Sequence, residues 1–189
     1  NGLRLKRLLA GVVIFAVIGA ILWASVLKPY QKERIIGFIF PSFDPQGVNY
    51  NVSQSKIAIG SGGLLGKGFG QGTQSHLGFL PEAATDFLFA AFAEEWGFVG
   101  GLALIAAFVL VVSRIAAIGK AASGNYAKFI CLGTIMAMGT QFFFNVGSNL
   151  GFSPVVGVTF PFFSYGGSSL LTLSILIGII QNIARESSF

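Results

Sequence analysis

The sequence predicts an all-α integral membrane protein, with four transmembrane helices and one long extracytoplasmic loop. Three observations lead there. Of 189 residues, 53% are hydrophobic and 10% charged, against about 25% charged in a soluble domain. Uncharged runs of spanning length recur along the chain, a spanning helix needing about 20 apolar residues. The basic residues gather on one side of those runs. A water-soluble globule of this composition would expose large apolar patches. Disorder is excluded because disordered chains are poor in apolar and aromatic residues, and this one has 20 Phe. One Cys excludes a disulfide framework and any multi-Cys metal site.

The first span is Leu8 to Leu27, uncharged and bounded by Arg7 and Lys28. It is too long for a signal peptide's apolar core, and no small-residue cleavage site follows it. The second span covers 87–113 and ends at Arg114. Phe129 to Ala184 carries no charge and is too long for one span. Pro154, Pro161 and the pair Gly166 and Gly167 divide it, giving spans at 129–150 and 168–184. Cys131 falls inside the third and is expected in the core.

Four spans place both ends and the loop between spans two and three on one side. That side holds Arg4, Lys6, Arg7, Arg114, Lys120, Lys128 and Arg185 against the single acid Glu186. The basic excess makes it cytoplasmic. The loop at 28–86 carries five basic residues and four acids. The 151–167 loop is uncharged, and both belong outside. No basic run alternates with aromatics, so nucleic acid is not an expected partner. The net charge of +5 reports topology.

The 28–86 loop is too long to be a mere connection and too small for its own core. Arg34 to Phe43 and Val52 to Ile59 are apolar enough to lie in the interface as short helices. The glycine cluster from Gly60 to Gly72 fails the G-x-x-x-x-G-K-[ST] pattern at both ends. It is either an anion-cradling turn or a flexible hinge or site of close packing. His76 has no second ligand at metal-binding spacing, so it is read as a surface residue.

The carboxylates carry more information. Pro81 suits a helix's first position, which would set Glu82 and Asp86 on one face of its opening turns. Glu82 then has an ordinary capping role. Asp86 precedes the apolar run Phe87 to Ala93, at the boundary of water and hydrocarbon. A carboxylate there marks a functional site, and partial desolvation makes it a better base. An unbroken helix from Pro81 to Ser113 would be about 48 Å long. Glu94 and Glu95, deeper along it, are expected to pair with a basic residue of a neighbouring helix. On span three Gln141, Asn145 and Asn149 form a polar stripe, open to interhelical hydrogen bonding or to lining a hydrated cavity. Ser168 and Thr172 on span four carry the same ambiguity.

Several motifs together resemble one family. They are Ile57 to Gly63 (IAIGSGG), Gln71 to Ser75 (QGTQS), Phe79 to Glu82 (FLPE), Thr85 to Phe87 (TDF), Glu94 to Phe98 (EEWGF) and Pro161 to Ser169 (PFFSYGGSS). In order over nearly the whole chain, they are similar to the SEDS proteins of bacterial shape, elongation, division and sporulation. Lys28 to Gln31 (KPYQ) and the QGTQS stretch resemble the elongation branch more than the division branch.

The resemblance implies ten spans, of which this chain matches seven to ten. Asn1 in place of an initiating Met agrees with a missing upstream part, and the fragment alone is expected to be inactive. It also implies a multi-pass protein of the bacterial cytoplasmic membrane. The implied activity is peptidoglycan glycosyltransfer, polymerising lipid II on the outer side. The implied partner is a class B penicillin-binding protein, a transpeptidase. The TDF aspartate carries over as catalytic Asp86. Lys56, Ser61, Gly62, Gly63, Gln74, Glu82, Ser164 and Tyr165 are the expected substrate-binding residues. Where the family often has His before the Thr, this chain has Ala84, so no role of that His applies. The diphosphate leaving group needs positive charge from Lys56, Lys67 or Arg34, or from a divalent cation. No metal ligand set is predicted. A lipid II flippase and a non-catalytic scaffold for a transpeptidase are the alternative readings.

Overall fold

The computed structural model describes residues 5–40, 47 and 49–187. They form helices α1 (Leu5–Ile21), α2 (Pro29–Ile39), α3 (Tyr50–Gly62), α4 (Thr73–His76), α5 (Leu88–Ala121), α6 (Asn125–Leu150) and α7 (Gly167–Ser187). A π-helical turn, Leu22–Val26, prolongs α1. Four helices are long and apolar enough to cross a membrane, at Leu9–Val26, Leu88–Ala121, Asn125–Leu150 and Gly167–Glu186. The chain is a multi-pass membrane protein, and its spans fall within a few residues of the expected positions, except that α5 runs on to Ala121. The expected Arg34 to Phe43 piece lies in α2 up to Ile39, with Phe40 as its C-cap, and residues 41–43 lie outside the described residues.

From Leu8 onward α1 is apolar around its whole circumference, and it buries none of its described side chains; Phe15 is 80% exposed. Its surface suits lipid or further protein rather than water. α5, α6 and α7 form the bundle. Toward the end where α5 passes into α6, Ile115, Cys131, Met138, Leu173 and Ile180 make its core. Toward the opposite end Phe89, Val146 and Phe160 make a second cluster. There Phe108 stacks on Phe142 at 4.2 Å between ring centroids, nearly parallel.

α3 corrects the expectation of a helix merely laid in the interface. Its Ser55, Ala58 and Gly62 are buried, and it packs against α5 and α6. The unbroken helix from Pro81 is also corrected. Residues 81–87 form turns, α5 begins at Leu88, and Gly97 (φ 68°, ψ −168°) kinks it. A kink strands backbone groups, and at membrane depth stranded groups must find protein partners. The glycine cluster supplies them. The Phe98 and Val99 N–H groups donate to the Gly63 and Leu64 carbonyls at 2.9 and 3.1 Å. Lys67 and Gly68 N–H groups donate to the Glu94 and Glu95 carbonyls at 3.0 Å each. A Cβ at Gly62 or Gly66 would collide with the Ala93 or Glu95 carbonyl. Of the two readings left open for these glycines, close packing is the one realised.

Candidate functional site

The site forms where the 81–87 turns meet α6 and the 151–166 loop. Within the turns, the Thr85 and Phe87 N–H groups donate to the Glu82 carbonyl at 3.2 and 3.1 Å. Thr85 Oγ1 donates to Glu82 Oε2 at 2.8 Å. Glu82 therefore fastens a turn, and the expected helix cap is not formed.

Three successive carbonyls are then held from outside. Ala84 accepts from the Tyr165 N–H at 2.9 Å. Thr85 accepts from Ser164 Oγ at 2.7 Å. Asp86 accepts from two amides of α6, Asn149 Nδ2 at 2.8 Å and Asn145 Nδ2 at 3.1 Å. Asn145 Nδ2 also donates to the Val158 carbonyl at 2.8 Å, tying in the loop. Asn149 Oδ1 accepts from the Ala90 N–H at 3.0 Å, a group that also donates to the Phe87 carbonyl at 3.1 Å. Asn145 and Asn149 of the polar stripe thus hydrogen-bond to neighbouring segments and converge on the Asp86 carbonyl. Gln141, the stripe's third member, leaves Oε1 buried without a partner. On α7, Thr172 Oγ1 donates within its own helix, to the Ser168 carbonyl.

The Asp86 carboxylate differs from its backbone. It makes no hydrogen bond or ion pair among the described residues. Burial chiefly, and then the Glu82 charge, raise its pKa from the ordinary 3.8, while Arg34 pulls it down. Gly157 (φ 70°) stands beside it, and a Cβ there would lie 3.7 Å from Asp86 Oδ2. The side chain is therefore fixed at its root and free at its tip.

Two cations stand in the adjoining cleft. Arg34 of α2 donates from Nη1 to the Val155 carbonyl at 3.1 Å. Lys56 of α3 lies against Gly151, where a Cβ would strike its Cε and Nζ. Arg34, Lys56, Asn49, Ser53 and Ser153 line this one cleft. Neither cation has an acid partner among the described residues. Lys67 does: its Nζ sits 2.6 Å from Glu94 Oε1.

Glu94 is fully buried. It accepts from Lys67, from Thr73 Oγ1 and from the N–H groups of Gln74 and Ser75. The expected partner on a neighbouring helix is replaced by a lysine of the glycine cluster. Glu95 lies 3.0 Å from the exposed His76.

The expected site residues therefore fall into three groups. Asp86, Glu82, Ser164 and Tyr165 come together at the turn, with the Tyr165 side chain exposed. Lys56 joins Arg34 in the cleft. Ser61, Gly62, Gly63 and Gln74 belong to the scaffold around Glu94 and the kink. Ser61 Oγ donates to the Ala58 carbonyl at 2.9 Å, Gly63 accepts from Phe98, and the Gln74 carbonyl accepts from the Leu80 N–H at 3.0 Å. The roles of Asn145 and Asn149 in holding Asp86 escaped the sequence, although their spacing of four had marked them. Among the described residues no three His, Cys, Asp or Glu side chains converge as a metal site would require.

Comparison with known proteins follows the same lines. The model of the FtsW/RodA/SpoVE cell cycle protein family matches residues 1–189. The chain is 43% identical over 183 residues to the peptidoglycan glycosyltransferase MrdB of Escherichia coli strain K12, covering 97% of this chain and 50% of that protein. It is 41% identical over 179 residues to a probable peptidoglycan glycosyltransferase FtsW of Coxiella burnetii, covering 93% and 48%. In structure it is similar to a chain of a peptidoglycan synthase complex that coordinates polymerization and crosslinking. That match has a TM-score of 0.69 at 29% identity, covering 97% of this chain and 50% of that one. The chain spans about half the length of the curated relatives it matches.

Proposed function

This chain belongs to the FtsW/RodA/SpoVE family of cell cycle proteins, and on that premise we propose that it is the C-terminal part, spans seven to ten, of a peptidoglycan glycosyltransferase polymerising lipid II on the outer face of the bacterial cytoplasmic membrane. One observation carries the reading. Asp86 has a backbone carbonyl gripped by two buried amides and a carboxylate left without a partner. A purely structural acid at this depth would be paired.

The chemistry assigned to the site is a displacement at an anomeric carbon. Asp86 takes the proton of the acceptor's GlcNAc 4-hydroxyl as that oxygen forms its bond to C1 of the donor sugar. The C1–O bond to the diphosphate breaks, and the electron pair leaves with the polyprenyl diphosphate. Arg34 and Lys56 are the cations available to the departing charge, since Lys67 already neutralises Glu94. Ser164 and Glu82 shape the turn that presents Asp86, and Tyr165 offers an exposed ring beside it. Spans one to six would complete the enclosure of two lipid-linked disaccharides.

The elongation role is proposed from Lys28 to Gln31 and Gln71 to Ser75, the stretches that resemble that branch. A class B penicillin-binding protein is the proposed partner, supported by the likeness to a peptidoglycan synthase complex. The deciding experiment is polymerisation of purified lipid II by the full-length protein and by its Asp86→Asn variant. Near-parental polymerisation by Asp86→Asn would remove the base and favour the flippase or scaffold readings. Restoration of rod shape, rather than of division, in cells depleted of each relative tests the elongation role.

A further inference from the structure

At the end of the bundle opposite Asp86, the last turns of α5 and the first half of α6 enclose a groove of about 460 Å³. Its lining is ordered along the helix axes. Lys120 and Lys128 stand at its water end, one on each helix, with Gly119 beside Lys120. Ala116, Cys131, Leu132 and Ile135 line it deeper in. On α6 the lining residues 128, 131, 132 and 135 share one helical face; on α5, 116, 119 and 120 do. The two helices touch closely at its floor, where a Cβ on Gly119 would stand 2.9 Å from the Cys131 Cβ. Leu132 is 53% exposed, so the groove opens sideways, away from the core of the described bundle.

Neither lysine has an acid to pair with among the described residues. The sequence holds no Asp or Glu between Glu95 and Glu186, and Glu186 accepts from Asn182 on the last turns of α7. Lysines placed only to set topology need not converge from two helices over one apolar slot. These do, and the slot runs from paired positive charge to hydrocarbon in the order of a phospholipid's headgroup and tail. Basic pockets between spans on the cytoplasmic side are sites for anionic headgroups.

We propose that this groove binds one anionic phospholipid of the cytoplasmic leaflet. The two ammonium groups hold the phosphate, and an acyl chain lies along Leu132 and Ile135. The site is independent of Asp86 and of the polymerisation chemistry.

The test uses the full-length protein in detergent. Native mass spectrometry measures binding of phosphatidylglycerol and of phosphatidylethanolamine with the same acyl chains. The parent should prefer phosphatidylglycerol. The pair Lys120→Gln and Lys128→Gln together should weaken it about 25- to 30-fold, about fivefold for each lysine, and erase the preference. Lys120→Arg with Lys128→Arg should keep it. Leu132→Trp, which fills the slot, should weaken both lipids. Unchanged phosphatidylglycerol binding by the double Gln variant overturns the proposal. So does equal binding of the two lipids by the parent, as expected if another protein segment covers the groove. Equal competition by glycerophosphoglycerol, which lacks acyl chains, reduces the site to a headgroup contact and overturns it as well.

Discussion

Asp86 and Glu94 stand eight residues apart, on either side of the start of α5, and the protein treats them in opposite ways. Glu94 is sealed from solvent, and a lysine, a threonine hydroxyl and two backbone N–H groups meet its carboxylate. Every acceptor direction is used, so the group holds the 67–75 segment and has no capacity left for a substrate. Asp86 is half-buried, and all the donors around it go to carbonyls instead of to its carboxylate. Satisfaction, more than burial, separates a scaffold acid from a candidate base. Full pairing removes basicity, whereas desolvation without pairing raises it.

The largest expected effect breaks the comparison at its functional side. Asp86→Asn should lower lipid II polymerisation by the full-length protein at least 10²- to 10⁴-fold, the range of general-base catalysis. The variant should be no less heat-stable than the parent. Burial raises the Asp86 pKa on folding, so the folded state disfavours the ionised form. That cost is fully present above the folded pKa and vanishes below the unfolded one. Near neutral pH the neutral amide removes it. A melting temperature well below the parent's would mark Asp86 as structural.

Glu94→Gln should invert this pattern. The amide puts an N–H donor among donors and leaves Lys67 unpaired, for a loss of about 2–3 kcal/mol, read as a lower melting temperature in detergent. Lys67→Met should also destabilise, since it leaves a buried carboxylate without its counter-charge. Parental stability in both variants would mean that the Glu94 cluster holds nothing.

Asn149→Leu lies between the two. It removes one grip on the Asp86 carbonyl and one of the two acceptors of the Ala90 N–H. Loss of about 1–2 kcal/mol of positioning and hydrogen bonding corresponds to roughly 5- to 30-fold in kcat, with lipid II KM little changed. An effect on KM alone would place Asn149 in binding.

Smaller shifts sharpen the electrostatics. The base must be ionised to act, so the rate should rise with pH along an acid limb set by Asp86. Arg34 lowers and Glu82 raises that pKa. Arg34→Gln should therefore move the limb to higher pH and Glu82→Gln to lower pH, Glu82→Gln keeping a measurable rate. Limbs that coincide in all three proteins would sever the link to Asp86. The smallest effect belongs to His76→Ala, which breaks an exposed pair with Glu95. It should change stability by no more than about 0.5 kcal/mol.

Much of this was legible in the residues. Charge-free length gave the spans, because hydrocarbon tolerates little else. The step from Asp86 into Phe87-Leu88-Phe89 marked a carboxylate at the membrane boundary. The four-residue spacing of Asn145 and Asn149 marked one polar face without saying what it faced. Pro81 was misleading: a residue suited to open a helix opens a run of turns, because donors from α6 and the 151–166 loop hold the carbonyls that an earlier helix start would have used.

What the sequence determined by itself is what depends on local chemistry. Spans and the candidacy of Asp86 follow from solvation of single segments, so they can be read one stretch at a time. Tertiary structure alone decided which groups are already partnered. Lys67 and Lys56 are both lysines of the 28–86 loop near glycines, yet one is neutralised by a glutamate 27 residues away and the other, among the described residues, is left open beside Arg34. Pairing is set by a through-space distance of a few ångströms. That distance arises only once the Gly97 kink brings the glycine cluster against α5, a contact between segments whose separate sequences do not encode it.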